Sequence, residues 1–136
     1  MSPAEAPTAA PGADEIARGV CRLLRDLGCE TVREFPLVTG RRANVAALDR
    51  RGRLTLVEIK SSPADWRADR KWPDYLSFAD TFYFAVGPEF PRELLPAESG
   101  LIIADAFAGA IVRAAPVTLL GAARRLGALL DPPPGG

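Results

Sequence analysis

From Asp14 onward the apolar residues recur at helical spacing. Ile16, Val20, Leu23, Leu24 and Leu27 fall three or four positions apart and share one face of a helix. Asp14 is a candidate cap and Gly28 a stop. The period then shortens to two. "TVREFPL" reads as a strand and "VTGRR" as a turn, followed by a hairpin of "ANVAALD", a turn at "RRG", and "RLTLVEIKS". "SPADWRADRKWPDYLSFAD" predicts mainly helix, with Ser62 as cap, Pro63 in the first turn, and Pro73 breaking or restarting it. "TFYFAVG" is apolar throughout, as expected of a strand covered on both faces. "FPRELLP" fits one helical turn, "GLIIADAF" and "AIVRAAP" two further strands, and "TLLGAARRLGALL" a closing helix. The order α-β-β-β-α-β-turn-β-β-α implies an α/β fold, a mixed β-sheet with helices packed against it.

Residues 1–12, rich in Pro and Ala, and the tail 132–136 read as disordered, leaving a single domain over 13–131. A chain of 136 residues supports one real core but not two. With no His and two Cys outside any ligand-like spacing, zinc chemistry and His-based triads are excluded, and no disulfide framework is expected. The start lacks the features of a secretory signal, and no apolar run reaches membrane-spanning length. The expected location is cytoplasmic, with reduced thiols.

The formal net charge of zero hides an uneven distribution. Residues 41–71 carry nine basic and four acidic groups, net +5, between two net-acidic flanks. A central basic segment suits an anionic partner, of which nucleic acid is the commonest; a solvated hairpin rim would look the same. Arg outnumbers Lys fifteen to two, so each Lys is a selective choice.

One of them, Lys60, stands two residues after Glu58 at the end of an otherwise apolar strand. Side chains alternate along a strand, so the two point the same way. Such a pair is either a strand-end salt bridge or part of a site. A carboxylate there can hold a hard divalent cation, and an ammonium can orient a water. The hairpin brings Asn44, polar inside an apolar run, near Glu58–Lys60, where it is a candidate second ligand or a turn residue bonded to the backbone.

These residues resemble the PD-(D/E)XK nuclease superfamily, with an acid opening the second strand and E-x-K on the third. More closely, "VEIKSS", "DWRADRKWPDY" and "FYFAV" are similar to the MmcB family of bacterial DNA-repair-related proteins. The resemblance spans roughly residues 16–130. It implies a restriction-endonuclease-like fold and a magnesium-dependent endonuclease site, with manganese as a substitute, acting on DNA and often dimeric. Where that pattern has an acid, this chain has Asn44, a neutral carbonyl oxygen, so phosphodiester hydrolysis should be weakened or abolished. The sequence reads the same whether that change is natural or introduced.

The implied metal ligands are Glu58, Asn44 and the backbone carbonyl of Ile59, and the implied catalytic set is Asn44, Glu58, Lys60 and a further acid, Glu34 or Glu15. On a helix, Trp66 and Arg70 would be four apart, as would Arg67 and Lys71, giving a basic face with an aromatic neighbour. Arg41, Arg42, Arg67, Arg70 and Lys71 are therefore the expected DNA-phosphate contacts, with Trp66 to stack on an unpaired base. Trp72, beside Pro73, Tyr75 and Phe78, is expected in the core. A non-catalytic nucleic-acid-binding module and, more remotely, a protein-interaction scaffold are the competing classes.

Overall fold

A computed structural model of the chain describes residues 10–118. The expected closing helix, Arg124-Arg125, the tail and most of the amino-terminal segment lie outside the described residues. Helix α1 (Ala13–Asp26) leads into β1 (Glu30–Pro36), β2 (Arg42–Leu48) and β3 (Leu54–Ile59). A short α2 (Pro63–Ala68) and a 3-10 helix (Trp72–Phe78) follow, then β4 (Thr81–Val86), a 3-10 turn (Arg92–Leu94), β5 (Gly100–Ala104) and β6 (Gly109–Arg113). The six strands form one mixed sheet in the order β1-β2-β3-β4-β5-β6. β3, β4 and β5 run parallel, and the outer pairings β1–β2, β2–β3 and β5–β6 are antiparallel. The element order expected from the sequence holds for every element within the described residues.

The sheet has two differently used faces. α1 lays Ile16, Ala17, Val20, Cys21 and Leu24 on Val45, Ala47, Val57, Ile59, Tyr83, Ala85, Ile102 and Ala104. The helix starts two residues earlier than Asp14 suggests. Gly12 is the N-cap residue, and its N–H is bonded by the Glu15 carboxylate at 3.2 Å. Asp14, inside the first turn, instead accepts from Arg33 at 2.7 Å. The helix stops as expected at Gly28, whose φ of +94° suits glycine. The N–H groups of Gly28 and Cys29 return to the carbonyls of Arg25 and Leu24, a Schellman closure. At Gly19 the helix lies against the β5–β6 turn so closely that an added Cβ would collide with the Asp105 and Ala108 carbonyl oxygens.

The opposite face carries the aromatic cluster: Tyr75, Phe82, Phe84 and Phe90 with Leu54, Leu56, Leu95 and Leu101, flanked by Trp66 and Trp72. β4 is buried along nearly its whole length, as its uninterrupted apolar run predicts. Even-numbered residues of β3 face this cluster and odd-numbered ones face α1. Glu58 and Lys60 thus emerge on the aromatic face, at the carboxyl end of a parallel strand, the end where sites form in α/β sheets.

Candidate functional site

Lys60 Nζ lies 3.7 Å from Glu58 Oε2, the same-face geometry expected from their spacing. Both are buried, at 4% and 8% exposure. Neither an ammonium nor a carboxylate is stable there without partners. The partners come from three other places in the chain. Asp69, just past the end of α2, puts Oδ2 2.8 Å from Lys60 Nζ, and its Oδ1 is 3.7 Å from Arg41. Tyr75, in the 3-10 helix, donates its hydroxyl to the Arg42 carbonyl at 3.0 Å, and that oxygen stands 3.4 Å from Glu58 Oε2. The Arg41 guanidinium lies over the Tyr75 ring, 4.7 Å from its centroid, and donates to its hydroxyl at 3.3 Å. Five side chains from four segments form one network.

The two carboxylates are treated unequally. Burial pushes Glu58 from 4.5 up to about 7, outweighing the pull of Lys60 and Arg41, with Asp69 adding to the rise. For Asp69 burial acts in the same direction, but Lys60, the Lys71 N–H and Arg41 together hold its carboxyl below the usual range. The cations are directed more to Asp69 than to Glu58. Glu58 Oε1 is left buried with no hydrogen-bond partner.

Asn44 joins the site through the backbone. The β2–β3 ladder ends at Val45 and Val57. One residue further, Asn44 Oδ1 accepts from the Ile59 N–H at 2.8 Å, taking the place of a strand carbonyl. Inside a strand a residue's N–H and C=O point to the same side, so the Ile59 carbonyl also faces Asn44. The alternation of β2 slips here, because Ala43 shares the face of Ala46 rather than that of Val45. Across the β1–β2 pairing, Glu34 lies opposite Asn44, between the pairs Arg33–Val45 and Phe35–Ala43, with φ at +53°. A glutamate in the left-handed region is strained by about 1–2 kcal/mol. Glu34→Gly should therefore raise stability in urea unfolding by about 0.5–1 kcal/mol. A loss of stability would show that the local distortion carries no strain.

Of the two further acids considered, Glu34 is exposed on β1, and Glu15 is engaged in capping α1 on the far side of the sheet. The acid that does enter the cluster is Asp69. Periodicity could not place it, since it reaches Lys60 only through the tertiary path of the α2–3-10 connection. Tyr75 was missed for the same reason.

The expected basic helix face is corrected. α2 ends at Ala68, and Asp69 is extended at φ −91°, ψ 116°. Trp66 and Arg70, or Arg67 and Lys71, are therefore not stacked on one helix. The break comes four residues before Pro73, because the Asp69 side chain is committed to Lys60, Arg41 and the Lys71 N–H. Trp66 is also not a free stacking platform: it is half-buried, edge-on to Phe84 at 5.2 Å and 6.3 Å from Trp72. Trp72 stacks on Phe82 at 6.0 Å. Arg42, Arg67, Arg70 and Lys71 are exposed and form no ion pair with any described residue, whereas Arg41 is drawn inside.

Magnesium, implied by the resemblance, finds a reduced set of donors. Glu58 Oε1 is an orphaned anionic oxygen of the kind a hard cation takes, and the Ile59 and Asn44 carbonyl oxygens lie at the same strand end. Among the described residues no group of three or more His, Cys, Asp or Glu could hold a metal. The residues present fit a cation through one carboxylate, with phosphate and water left to complete its shell.

Fold and site together define a mixed-sheet α/β protein with an acid–lysine pair at the end of its third strand and a polar side chain of the second bonded to the backbone between them. The family of MmcB-like DNA repair proteins matches residues 3–131, and this chain belongs to it. A protein of unknown function from Silicibacter pomeroyi is similar in structure, with 50% identity, a TM-score of 0.81, and coverage of 83% of this chain and 77% of that one. A repair endonuclease from Pyrococcus abyssi shows a slight likeness, at 19% identity and a TM-score of 0.41 over 66% of this chain and 45% of that one. No curated protein matches. Among the described residues no helix is long and apolar enough to cross a membrane.

Proposed function

We propose that this chain binds DNA at the carboxyl end of β3 and that its phosphodiester-hydrolysing capacity is weakened or abolished by Asn44. The observation that carries the reading is the 2.8 Å bond from Ile59 N–H to Asn44 Oδ1. That bond brings the Asn44 side chain to the Ile59 backbone beside Glu58 and Lys60, which supports a cation site there that a second carboxylate would complete. Family membership supports a DNA partner, and the exposed Arg42, Arg67, Arg70 and Lys71 supply phosphate contacts around the cluster.

Magnesium or manganese held by Glu58, the Ile59 carbonyl and Asn44 Oδ1 would supply positive charge beside a scissile phosphate. The chain's own residues do the rest. Glu58 brings the anionic oxygen, Tyr75 and Lys60 fix that carboxylate, and the rim cations orient the backbone of the DNA. With a neutral amide at position 44 the site lacks one negative charge, which lowers its hold on any divalent ion.

The test is a pair of cleavage assays on labelled single-stranded, flap and duplex DNA with magnesium or manganese, this chain beside Asn44→Asp. The expected result is cutting by the Asp form at least about a hundredfold faster, the scale on which a lost metal-supporting group costs activity. Equal cutting by both would make Asp69 the effective second acid and remove Asn44 from the argument. No cutting by either, with salt-sensitive binding retained, would leave a non-catalytic DNA-binding module. That second reading is favoured by the neutral Asn44 and by the burial of Lys60 beneath Asp69.

A further inference from the structure

Lys60 cannot meet DNA as the protein stands. It is 4% exposed, and its ammonium faces the Asp69 carboxylate, itself only 9% exposed, at 2.8 Å. Arg41 is turned toward the same carboxylate. A carboxylate flanked by an ammonium and a guanidinium occupies the place a phosphodiester oxygen would take between the same two cations. The segment that delivers it has an unusual construction. Residues 67–71 lie between Trp66 and Trp72, whose rings are 6.3 Å apart and both lie edge-on to Phe84 at 5.2 Å. The ends of the loop are thereby pinned to one another and to the sheet. Between them Arg67, Ala68, Arg70 and Lys71 are all exposed, and Asp69 is the one residue turned inward. Arg67 and Ala68 close α2, and the Asp69 N–H makes its last backbone bond, to the Trp66 carbonyl at 3.2 Å; beyond it no helical ladder continues to the 3-10 helix.

We propose that Asp69 is an internal stand-in for a DNA backbone phosphate, so that the loop 67–71 is a latch that holds the anion-binding site of Lys60 and Arg41 closed until a phosphodiester displaces it. The inference rests on the DNA-binding reading above and adds to it the gate. Exchange is a swap of one anion for another and needs no unfolding, because the tip moves between two Trp rings that remain on the sheet while the charges and solvent around them change. Arg67, Arg70 and Lys71 on the outer side draw the polyanion to the place where the inner carboxylate must leave. The latch also explains why a cationic pair suited to phosphate is turned inward, Lys60 buried and Arg41 half-buried, while Arg42, Arg67, Arg70 and Lys71 around it are exposed and form no ion pair with any described residue.

The experiment measures binding of a fluorescein-labelled single-stranded oligonucleotide and its duplex across a salt series, for the full chain and for Asp69→Asn. The variant removes the competing charge and keeps the shape. At about 0.1 M salt it should bind about tenfold more tightly, and log K against log salt should keep a similar slope, because the same two cations meet phosphate in both complexes. Equal or weaker binding would overturn the latch while leaving DNA binding in place. Salt-sensitive binding by neither protein would overturn both readings. Because Asp69→Asn can also disturb folding, a second measurement uses the wild-type chain alone. Its two tryptophans flank the loop, so their emission should shift when unlabelled oligonucleotide saturates the protein and should already be shifted in folded Asp69→Asn. Wild-type emission that is unchanged at saturation would overturn the latch.

Discussion

Replacing Phe84 by alanine is expected to cost about 3–5 kcal/mol of stability, the range for an aromatic removed from a closed core. Phe84 has no exposed surface and is among the largest fully buried side chains. It also stands at the centre of the aromatic face: Trp66 and Trp72 meet it at 5.2 Å and Phe82 at 5.1 Å, all edge to face. Each such contact adds about 0.5–1.5 kcal/mol beyond burial. The variant therefore loses both volume and the seat of the two rings that pin residues 67–71. Urea unfolding monitored by circular dichroism reads the stability, and tryptophan emission reads the seat. A loss below about 1 kcal/mol would mean that the cluster can collapse around the vacancy and that Phe84 is not its keystone.

Glu58→Gln is expected to have the opposite sign. The Glu58 carboxyl rises from 4.5 to about 7 on folding, chiefly through burial. The folded protein therefore holds this proton more tightly than the unfolded chain between those values. The contribution to stability is fully present below about pH 4.5 and is lost as the pH rises through 7. Above that, folding must bury a charge that the unfolded chain keeps in water. A shift of this size corresponds to about 3 kcal/mol. Glutamine keeps the shape without the charge, so the variant should match the wild type near pH 4.5 and exceed it by about 3 kcal/mol at pH 8. Urea midpoints across that interval provide the check. Parallel curves for the two proteins would show that Glu58 titrates normally and that its surroundings do not penalise the charge. Stability gained by removing a buried acid is the mark of a residue kept for something other than folding.

What the sequence reveals and what it withholds follow from the range of the interactions involved. α1, its stop at Gly28, the hairpin and the buried β4 are all written in local periodicity, and each appears where that periodicity puts it. The Glu58–Lys60 pair follows from alternation alone, and the proximity of Asn44 to it follows from the hairpin register. Asp69 and Tyr75 are different. Their roles depend on how the α2–3-10 crossover lies over the sheet, which no local pattern encodes. The same tertiary demand explains the misplaced end of α2. Residues 66–71 have helical spacing, but the pull of Lys60 and Arg41 on Asp69 outweighs a propensity worth only a few tenths of a kcal/mol per residue. Glu34 was legible as an acid near the site. Its left-handed backbone was not, because glutamate gives no sign of it.

The alternation of β3 has a consequence for inheritance. Thr55, Val57 and Ile59 look toward α1, and Leu54, Leu56, Glu58 and Lys60 toward the aromatic face, where the last two sit in the cluster. In a cell carrying every single substitution of this strand, damage at positions 57 and 59 should appear as protein that is degraded and scarce. Damage at position 58 should appear as protein that is abundant but idle. Two adjacent codons would then produce phenotypes that differ in kind, one corrected by higher expression and the other not.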